Sequence, residues 1–541
     1  MKTHENFTSE EQALLSRYVT NTDKTIFVLT NLPEVIKGAL FSRYSRSTLG
    51  LRQLLLREFI QNEESEFHAI QGTQSSDKSQ EQSILAIERA QNFYDRILDG
   101  YGDDSIGELG GAHLALENIS ILATKIIEDC RIGGSPLEKS TRYVDFSQKV
   151  NGDYLFYKNS RLLESHHKDR YLEINRYLFD TYTSMIEPVT KFVEYLMPHT
   201  EGVNDAAYKR SVKAKALDLL RGLLPASTMT NMGVYGNGRF FETLISKMHV
   251  QEIGELQHIG QDCFEELSKV IPSFIRRSHP EHRHFKNFQE FFLKNRTLIK
   301  SSCNRYLSGK PTTTSGVQLV DYDTDAENKL LTALLYPHTE LSMTQLMEIM
   351  RKLPLSEKVA LIDQHANLRE HRRHKPGRAL EQIFYTFDIV GDYGMYRDLQ
   401  RHRMLTQERQ LLSTHLGYIT PPEIEHSRMA PKYHEAMSKA AEVYEKIAED
   451  FPVDAQYVVP LAYNIRWFMH INLRSLMWLV ELRSTPQGHE SYRKIAQSMY
   501  HEIERAHPLL IKYLKFTDLK EYTLGRLDSE IRQEQKNDPG L

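Results

Sequence analysis

The sequence predicts a helix-rich α+β protein, and three observations carry that reading. Apolar residues recur three and four apart over most of the chain, strand-like runs are few and short, and 40% hydrophobic with 26% charged residues is the composition of a globular chain. Leu217, Leu220 and Leu224 form one apolar stripe, and Ile495, Met499 and Ile503 form another; this spacing puts side chains on one face of a helix. Ile383 to Ile389, rich in aromatic and β-branched residues, reads as a strand, and Ile26 to Leu29 as a weaker one. At 541 residues, more than one domain is expected. Lys300 to Gly316 concentrates Ser, Thr, Gly and Pro between patterned regions and reads as a linker.

Charge and cysteine content narrow the function classes. Lys and Arg total 68 against 72 Asp and Glu, a net charge of −4. No global basic excess draws the chain to nucleic acid or anionic lipid, so any anion site must be local. Cys130, Cys263 and Cys303 are odd in number and show no CxxC spacing, which argues against a disulfide framework or a structural zinc site and fits a reducing cytoplasm. No window approaches the ~18 apolar residues of a membrane span, and the amino-terminal stretch is not that of a signal peptide. A cytoplasmic chain is expected. His371, Arg372, Arg373 and His374 invite a metal reading, but neither HExxH nor a carboxylate set accompanies them, so no metal site is predicted.

One internal repeat is visible. Pro225 and Pro460, Asn237 and Asn472, and Arg239 and Arg474 are each 235 residues apart, so both stretches read Pro, eleven residues, Asn, any residue, Arg. The two Asn/Arg pairs could equally be polar residues inside helices, bonded to backbone.

Two polar clusters are candidates for chemistry. Arg401-His402-Arg403, flanked by Arg397 and Arg409, reads either as a solvated helix face or as an anion site; on a helix Arg397 and Arg401 would share a face. Ser135-Pro-Leu-Glu138-Lys-Ser140-Thr-Arg142-Tyr143, after Gly133-Gly134, reads as a loop. There Glu138, Ser140 and Arg142 alternate toward one polar ligand, or Ser140 caps a following helix. Ser140 lacks a GxSxG elbow, which disfavours hydrolase chemistry. Trp467 and Trp478 read as core residues, and His489-Glu490 as a surface pair.

These residues resemble the hallmark of the flavin-dependent thymidylate synthase (ThyX) family, RHRxxSxNExSxRY. The C-terminal stretch keeps Arg401, His402 and Arg403, while Thr406, Glu408, Arg409, Leu411, Ser413 and Thr414 replace the rest of the motif. The N-terminal stretch keeps Ser135, Glu138, Ser140, Arg142 and Tyr143, while Cys130-Arg131-Ile132 replaces RHR and Leu137 the Asn. A second family segment divides in the same way. Arg221, Asn237 and Arg239 are kept where Met248 replaces a late arginine, whereas Asn472, Arg474 and Arg483 are kept where Gln456 replaces the early one. His374 and Glu381 match a short flavin-contacting motif, with Glu108 a looser N-terminal candidate.

The resemblance implies two helix-rich ThyX-like copies, each with a small, mainly antiparallel sheet: residues 1–299 and 317–541, joined by 300–316. Glu138, Ser140, Arg142 and Arg221 would hold dUMP, with Arg401 and Arg483 reaching the same substrate; Ser140 and Arg483 would be catalytic. His374, Glu381, Arg401, His402, Arg403, Asn472 and Arg474 would hold FAD. NADPH and methylenetetrahydrofolate would be co-substrates, and a homodimer would match the family's tetramer as a pseudo-tetramer of domains. A charge-assisted hydrogen bond contributes roughly 1.5–3 kcal/mol, so two arginines supply about 3–6 against the ~8 of micromolar binding. Four arginines, drawn from both halves, could reach it. The alternatives are a flavin reaction on another pyrimidine nucleotide, and a non-catalytic protein that binds flavin or nucleotide.

Overall fold

The computed structural model describes residues 7–45, 47–61, 107–199, 204–313 and 316–537. It is mixed helix and antiparallel sheet, an α+β architecture. The labelled elements, in chain order, are β1 (Gly111–Ser120), α1 (Ile121–Glu128), β2 (Gly134–Glu138), α2 (Lys168–Leu196), α3 (Asp205–Leu220), β3 (Met229–Asn237), α4 (Gly238–His249) and α5 (Gly254–Ser268). They continue with α6 (Arg283–Leu307), β4 (Val317–Tyr322), β5 (Phe384–Asp392), α7 (Tyr393–Leu399), β6 (Thr406–Arg409), α8 (Ala430–Ala448), β7 (Asn464–Asn472), α9 (Leu473–Arg483) and α10 (Glu490–Ala506).

Two compact units are discontinuous in sequence. One comprises residues 1–117, 126–138 and 231–310, the other 118–125, 139–230 and 311–541. The unit boundary falls within β1 and β3. The first unit carries the sheet β1-β3-β2, the second the sheet β4-β5-β7-β6. In the second, Ile465, Trp467, Met469 and Ile471 alternate inward along β7, and Tyr385, Phe387 and Ile389 do so along β5, all nearly inaccessible. Their antiparallel register, Phe384 opposite Asn472 through Asp392 opposite Asn464, stacks those inward residues into one core face. Ile495, Met499 and Ile503 are buried along α10, as their spacing predicts.

The order of elements repeats. Strand, helix, strand runs β1-α1-β2 in the first half and β5-α7-β6 in the second, and strand to helix runs β3-α4 and β7-α9. The nine residues of β3 and of β7 correspond at a separation of 235 residues. At the end of each strand an asparagine caps the helix: Asn237 Oδ1 accepts from Phe240 N at 2.8 Å, and Asn472 Oδ1 from Ser475 N at 2.9 Å. Both are therefore caps rather than helix-interior residues.

Within the second unit the equivalent prolines face each other as a bridge, Pro225 opposite Pro460. Around it Ala226 N donates to Val459 O and Leu461 N to Leu224 O, both at 2.9 Å; Ser227 N donates to Tyr457 O and Ala462 N to Gly222 O, both at 3.0 Å. Donor and acceptor exchange roles at the same sequence separation, the reciprocity of a two-fold contact.

Several expectations need correction. Ile26 to Leu29 is not a strand but makes one bridge, Val19 opposite Leu29, because Ile26 and Val28 are exposed and have no sheet to join. Leu224 lies beyond α3 in extended backbone. Lys300 to Leu307 continue α6, so the polar stretch becomes irregular only after them. Residues 134–138 form β2 rather than a loop. Gly134 is required there by the Phe240 ring, 2.4 Å from where a Cβ would stand, and Pro136 is tolerated because β2 is an edge strand.

Gly222 tests the two-fold contact. A Cβ there would lie 2.4 Å from Tyr433 Oη and 3.1 Å from Ala462 Cβ, and the Tyr433 ring is fully buried. Gly222→Ala is expected to cost about 1–3 kcal/mol by overpacking, read from urea denaturation midpoints at constant slope.

Candidate functional site

The second unit holds a cationic groove of about 420 Å³ at the amino-terminal end of α9. The sequence builds it locally. Asp392 Oδ1 accepts from Met395 N at 2.7 Å and starts α7; Gln400 closes it, donating from Nε2 to Lys125 O at 2.6 Å. Arg401, His402 and Arg403 therefore leave α7 in a turn, which corrects the reading of a helix face. Arg397 does not share their surroundings: it is buried and donates to Thr141 Oγ1 at 3.2 Å.

Arg372, Lys375, Arg401, Arg403, Arg474 and Arg483 line the groove against a single carboxylate, Glu381. Arg474 Nη1 holds Glu381 Oε1 at 2.5 Å, and Arg378 approaches from the other side at 3.4 Å. Burial works against that charge, but the two arginines outweigh it and keep the carboxyl below its usual range. Arg483 Nε donates to His402 Nε2 at 3.0 Å. His402 must therefore be neutral with its proton on Nδ1, and burial together with the facing guanidinium lowers its pKa to about 3. Asn472 lines the groove, but His374 does not: its side chain is exposed, and only its carbonyl, accepting from Arg369 Nε at 2.9 Å, is engaged. Trp478, expected in the core, is 39% exposed and lines the groove, whereas Trp467 is buried as expected.

The remaining predicted residues are not open to solvent. Arg142 is buried and pairs with Asp218 through Nε at 3.0 Å and Nη2 at 3.1 Å, while Nη1 donates to Tyr492 Oη at 2.8 Å. Arg221 is buried and its Nη1 lies 3.3 Å from Asp398 Oδ2. Ser140 caps a turn rather than a helix, accepting from Arg142 N at 3.2 Å. Glu138 ends β2 as a buried residue.

Asp398 joins the two sets. Burial opposes its charge, yet Arg221, Arg142, Arg483 and Arg401 together hold its carboxyl far below the ordinary range. The arginines expected from both halves thus share one carboxylate inside one unit. Tyr492 adds a second link, with the Arg142 and Arg483 guanidinium carbons each 5.4 Å from its ring centroid. Sequence reasoning missed Asp398, Asp218 and Tyr492 because a lone carboxylate or tyrosine on a helix has no signature. His489, read as a surface residue, caps α10 and has its pKa pushed well down by burial and Arg221. It borders a second cavity of about 280 Å³, into which Arg221 Nη2 and Tyr433 Oη point without hydrogen-bond partners.

The N-terminal copy shows what losing a groove entails. Glu108 and Arg239 pair at 2.7 Å, as Glu381 and Arg474 do. At the position equivalent to groove-lining Ser475 stands Phe240, whose ring fills the space beside Gly133, Gly134 and Gly236. Met248 and Gln456, which replace arginines, are buried; Gln456 Oε1 accepts from Leu412 N at 3.1 Å. His166, His167 and Asp450 cluster as metal ligands might, but Arg170 Nη1 donates to His167 Nδ1 at 2.8 Å. His167 Nε2 therefore carries the proton and donates it to Asp450 at 2.9 Å, leaving no lone pair for a cation. No helix among the described residues is long and apolar enough to cross a membrane.

Removing Asp398 should leave its buried arginines uncompensated, so Asp398→Asn is expected to cost about 3–5 kcal/mol, read by chemical denaturation. The acid response follows from the signs. An unfolded histidine binds a proton near pH 6.5, while folded His402 resists it to about 3. Its contribution is thus complete above ~6.5 and falls as pH drops through that window, at most about 1.4 kcal/mol per pH unit. His489 acts in the same direction. Asp218 and Asp398 have depressed values, so their contribution is lost only below about pH 4. Melting curves from pH 8 to 4 should show declining stability, and His402→Asn should flatten the slope between pH 6 and 4.

A sequence model of the thymidylate synthase complementing protein family matches residues 55–273 and 318–509. A UPF0159 protein of Chlamydia muridarum is 49% identical, with 98% of each chain covered. Another, of Thermoplasma acidophilum, is 35% identical over 92% of this chain and 99% of its own length. A flavin-dependent thymidylate synthase of Sulfurisphaera tokodaii is 30% identical over 156 residues, 27% of this chain and 60% of that protein. With matches on both sides of the chain's midpoint and the motifs already traced to one unit, the chain belongs to the thymidylate synthase complementing protein (ThyX) family.

Proposed function

We propose that this chain is a flavin-dependent thymidylate synthase, methylating dUMP to dTMP with methylenetetrahydrofolate as carbon donor and NADPH as reductant. The observation that carries the reading is the convergence of Arg142, Arg221, Arg401 and Arg483 on Asp398. Two copies of one domain, residues 1–299 and 317–541 joined through 300–316, would each have kept part of the site, and two chains would supply four copies. The reciprocal bonds around Pro225 and Pro460 support the duplication.

The groove's donor set fits an anionic flavin dinucleotide. Several guanidiniums face one carboxylate that is already paired, and Trp478 and Met404 supply apolar surface. Arg401, Arg403, Asn472 and Arg474, with Glu381 and His402, would hold FAD. Bound flavin supplies the hydride chemistry. The chain's own part is binding and electrostatics: Ser140, Arg142 and Arg221 would take the nucleotide. Arg401 and Arg483, fixed before substrate arrives, would stabilise negative charge developing on the pyrimidine ring. Neutral His402 contributes by accepting from Arg483, which holds that guanidinium in place.

One observation favours a second reading, a non-catalytic flavin- and nucleotide-binding protein. Arg142 already engages Asp218, Tyr492 and the Gln487 carbonyl, leaving less of it for a phosphate. Reoxidation separates the two. After NADPH reduction of the FAD-loaded protein, dUMP with methylenetetrahydrofolate should reoxidise the flavin and yield dTMP; binding without turnover would establish the second reading. Ser140→Ala and Arg401→Ala are each expected to lower kcat/KM about a hundredfold and to abolish rescue of a thymidine-requiring strain.

A further inference from the structure

We infer that Arg369 and Glu481, which touch no ligand-facing surface themselves, are positioning residues that set the cationic loop of the groove. This rests on the flavin reading of that groove. Arg369 is 5% exposed and Glu481 fully buried. A guanidinium has five N–H donors, and all of them are engaged here. Nε donates to the His374 carbonyl at 2.9 Å, and Nη2 to the Arg372 carbonyl at 3.1 Å and to Glu481 Oε2 at 2.6 Å. Nη1 donates to the Tyr513 carbonyl at 2.8 Å and to Glu481 Oε1. Glu481 Oε1 also accepts from Phe516 N at 3.1 Å, and the Phe516 ring lies 4.9 Å from the guanidinium carbon.

The consequence is geometric. Glu481 belongs to α9, the helix that presents Arg474, Trp478 and Arg483 to the groove. Arg372 and Lys375, on the short segment between α9's neighbour at residue 369 and Pro376, supply cations to the same groove. That segment has no helix or strand of its own. Its two carbonyls are tied to α9 through one planar fork, so the cations on the loop and the cations on the helix are held at a fixed separation. A lysine could keep the charge pair with Glu481 but could not serve acceptors spread across the plane of the fork. The N-terminal copy offers a contrast: at the position equivalent to Glu481 stands Ser246, bonded only to the Glu242 carbonyl in its own helix. The pair accompanies the groove and is missing where Phe240 fills its counterpart.

Three variants test this: Arg369→Lys, Glu481→Gln, and the double change Arg369→Met with Glu481→Met. The double change replaces a buried ion pair by apolar side chains of similar length and is the one expected to stay folded. FAD titration followed by flavin fluorescence, and hydrogen exchange of the 370–376 segment in the FAD-free protein, are measured for each beside the parent chain. Arg369→Lys and the double variant should bind FAD at least tenfold more weakly and exchange that segment at least tenfold faster, with exchange in α2 and α8 unchanged. A purely structural role would lower the melting temperature while leaving FAD affinity of the folded protein within twofold; that result, or unchanged exchange in 370–376, overturns the inference. If the parent chain binds no FAD, the flavin reading fails, and the exchange comparison still decides whether Arg369 positions the loop.

Discussion

The carboxylate of Asp398, set among Arg142, Arg221, Arg401 and Arg483, is the interaction on which the site depends. Four guanidiniums cannot be brought together in a partly dehydrated space without a counter-charge, because each pair of like charges would otherwise oppose the packing that gathers them. Asp398 sits one turn before Arg401, at the end of α7, so the same short helix delivers both the anion and one of the cations. Asp218 performs the equivalent task one shell further in, taking Arg142 and Arg526 together. The arginines are thus held by carboxylates before any ligand arrives, and a ligand anion must be stabilised by donors whose directions are already set.

That preorganisation is uneven. Arg401, Arg403, Arg474 and Arg483 open onto the groove, whereas Arg142 and Arg221 are committed inward. The flavin side therefore has accessible cationic donors and apolar surface, and the nucleotide side has donors whose partners are already protein groups. Histidine chemistry follows the same field. His402 and His489 each lie beside an arginine and are held neutral, so they act as hydrogen-bond partners rather than as proton carriers near neutral pH.

The two halves show how one topology supports an open site in one place and a filled one in another. Strand, asparagine cap and helix recur at a separation of 235 residues, and a Glu–Arg pair recurs beside them. The difference lies in a few side chains. Phe240 stands where Ser475 leaves space, and buried Met248 stands where Arg483 reaches outward. Fold and function separate at that level: the backbone pattern is common, and the volume and charge at two or three positions decide whether a groove exists.

The sequence by itself determined the class, the strand at Phe384–Asp392, the inward stripe of α10, the repeat at Pro225 and Pro460, and the family motifs. Each of these rests on local periodicity or on residue types at fixed spacing, which are properties of neighbouring positions. It misassigned Ile26 to Leu29, because an apolar run becomes a strand only if another strand is there to pair with it. It misread 134–138 as a loop, because glycine was needed for contact with Phe240 rather than for a turn. Only the tertiary structure decided that Asp398, Asp218, Tyr492 and Arg369 matter, that Trp478 lines a groove while Trp467 fills the core, and which arginines are open and which are paired. Those outcomes depend on groups distant in sequence meeting at a few ångströms, where charge and volume must balance, and no spacing along the chain encodes such a balance.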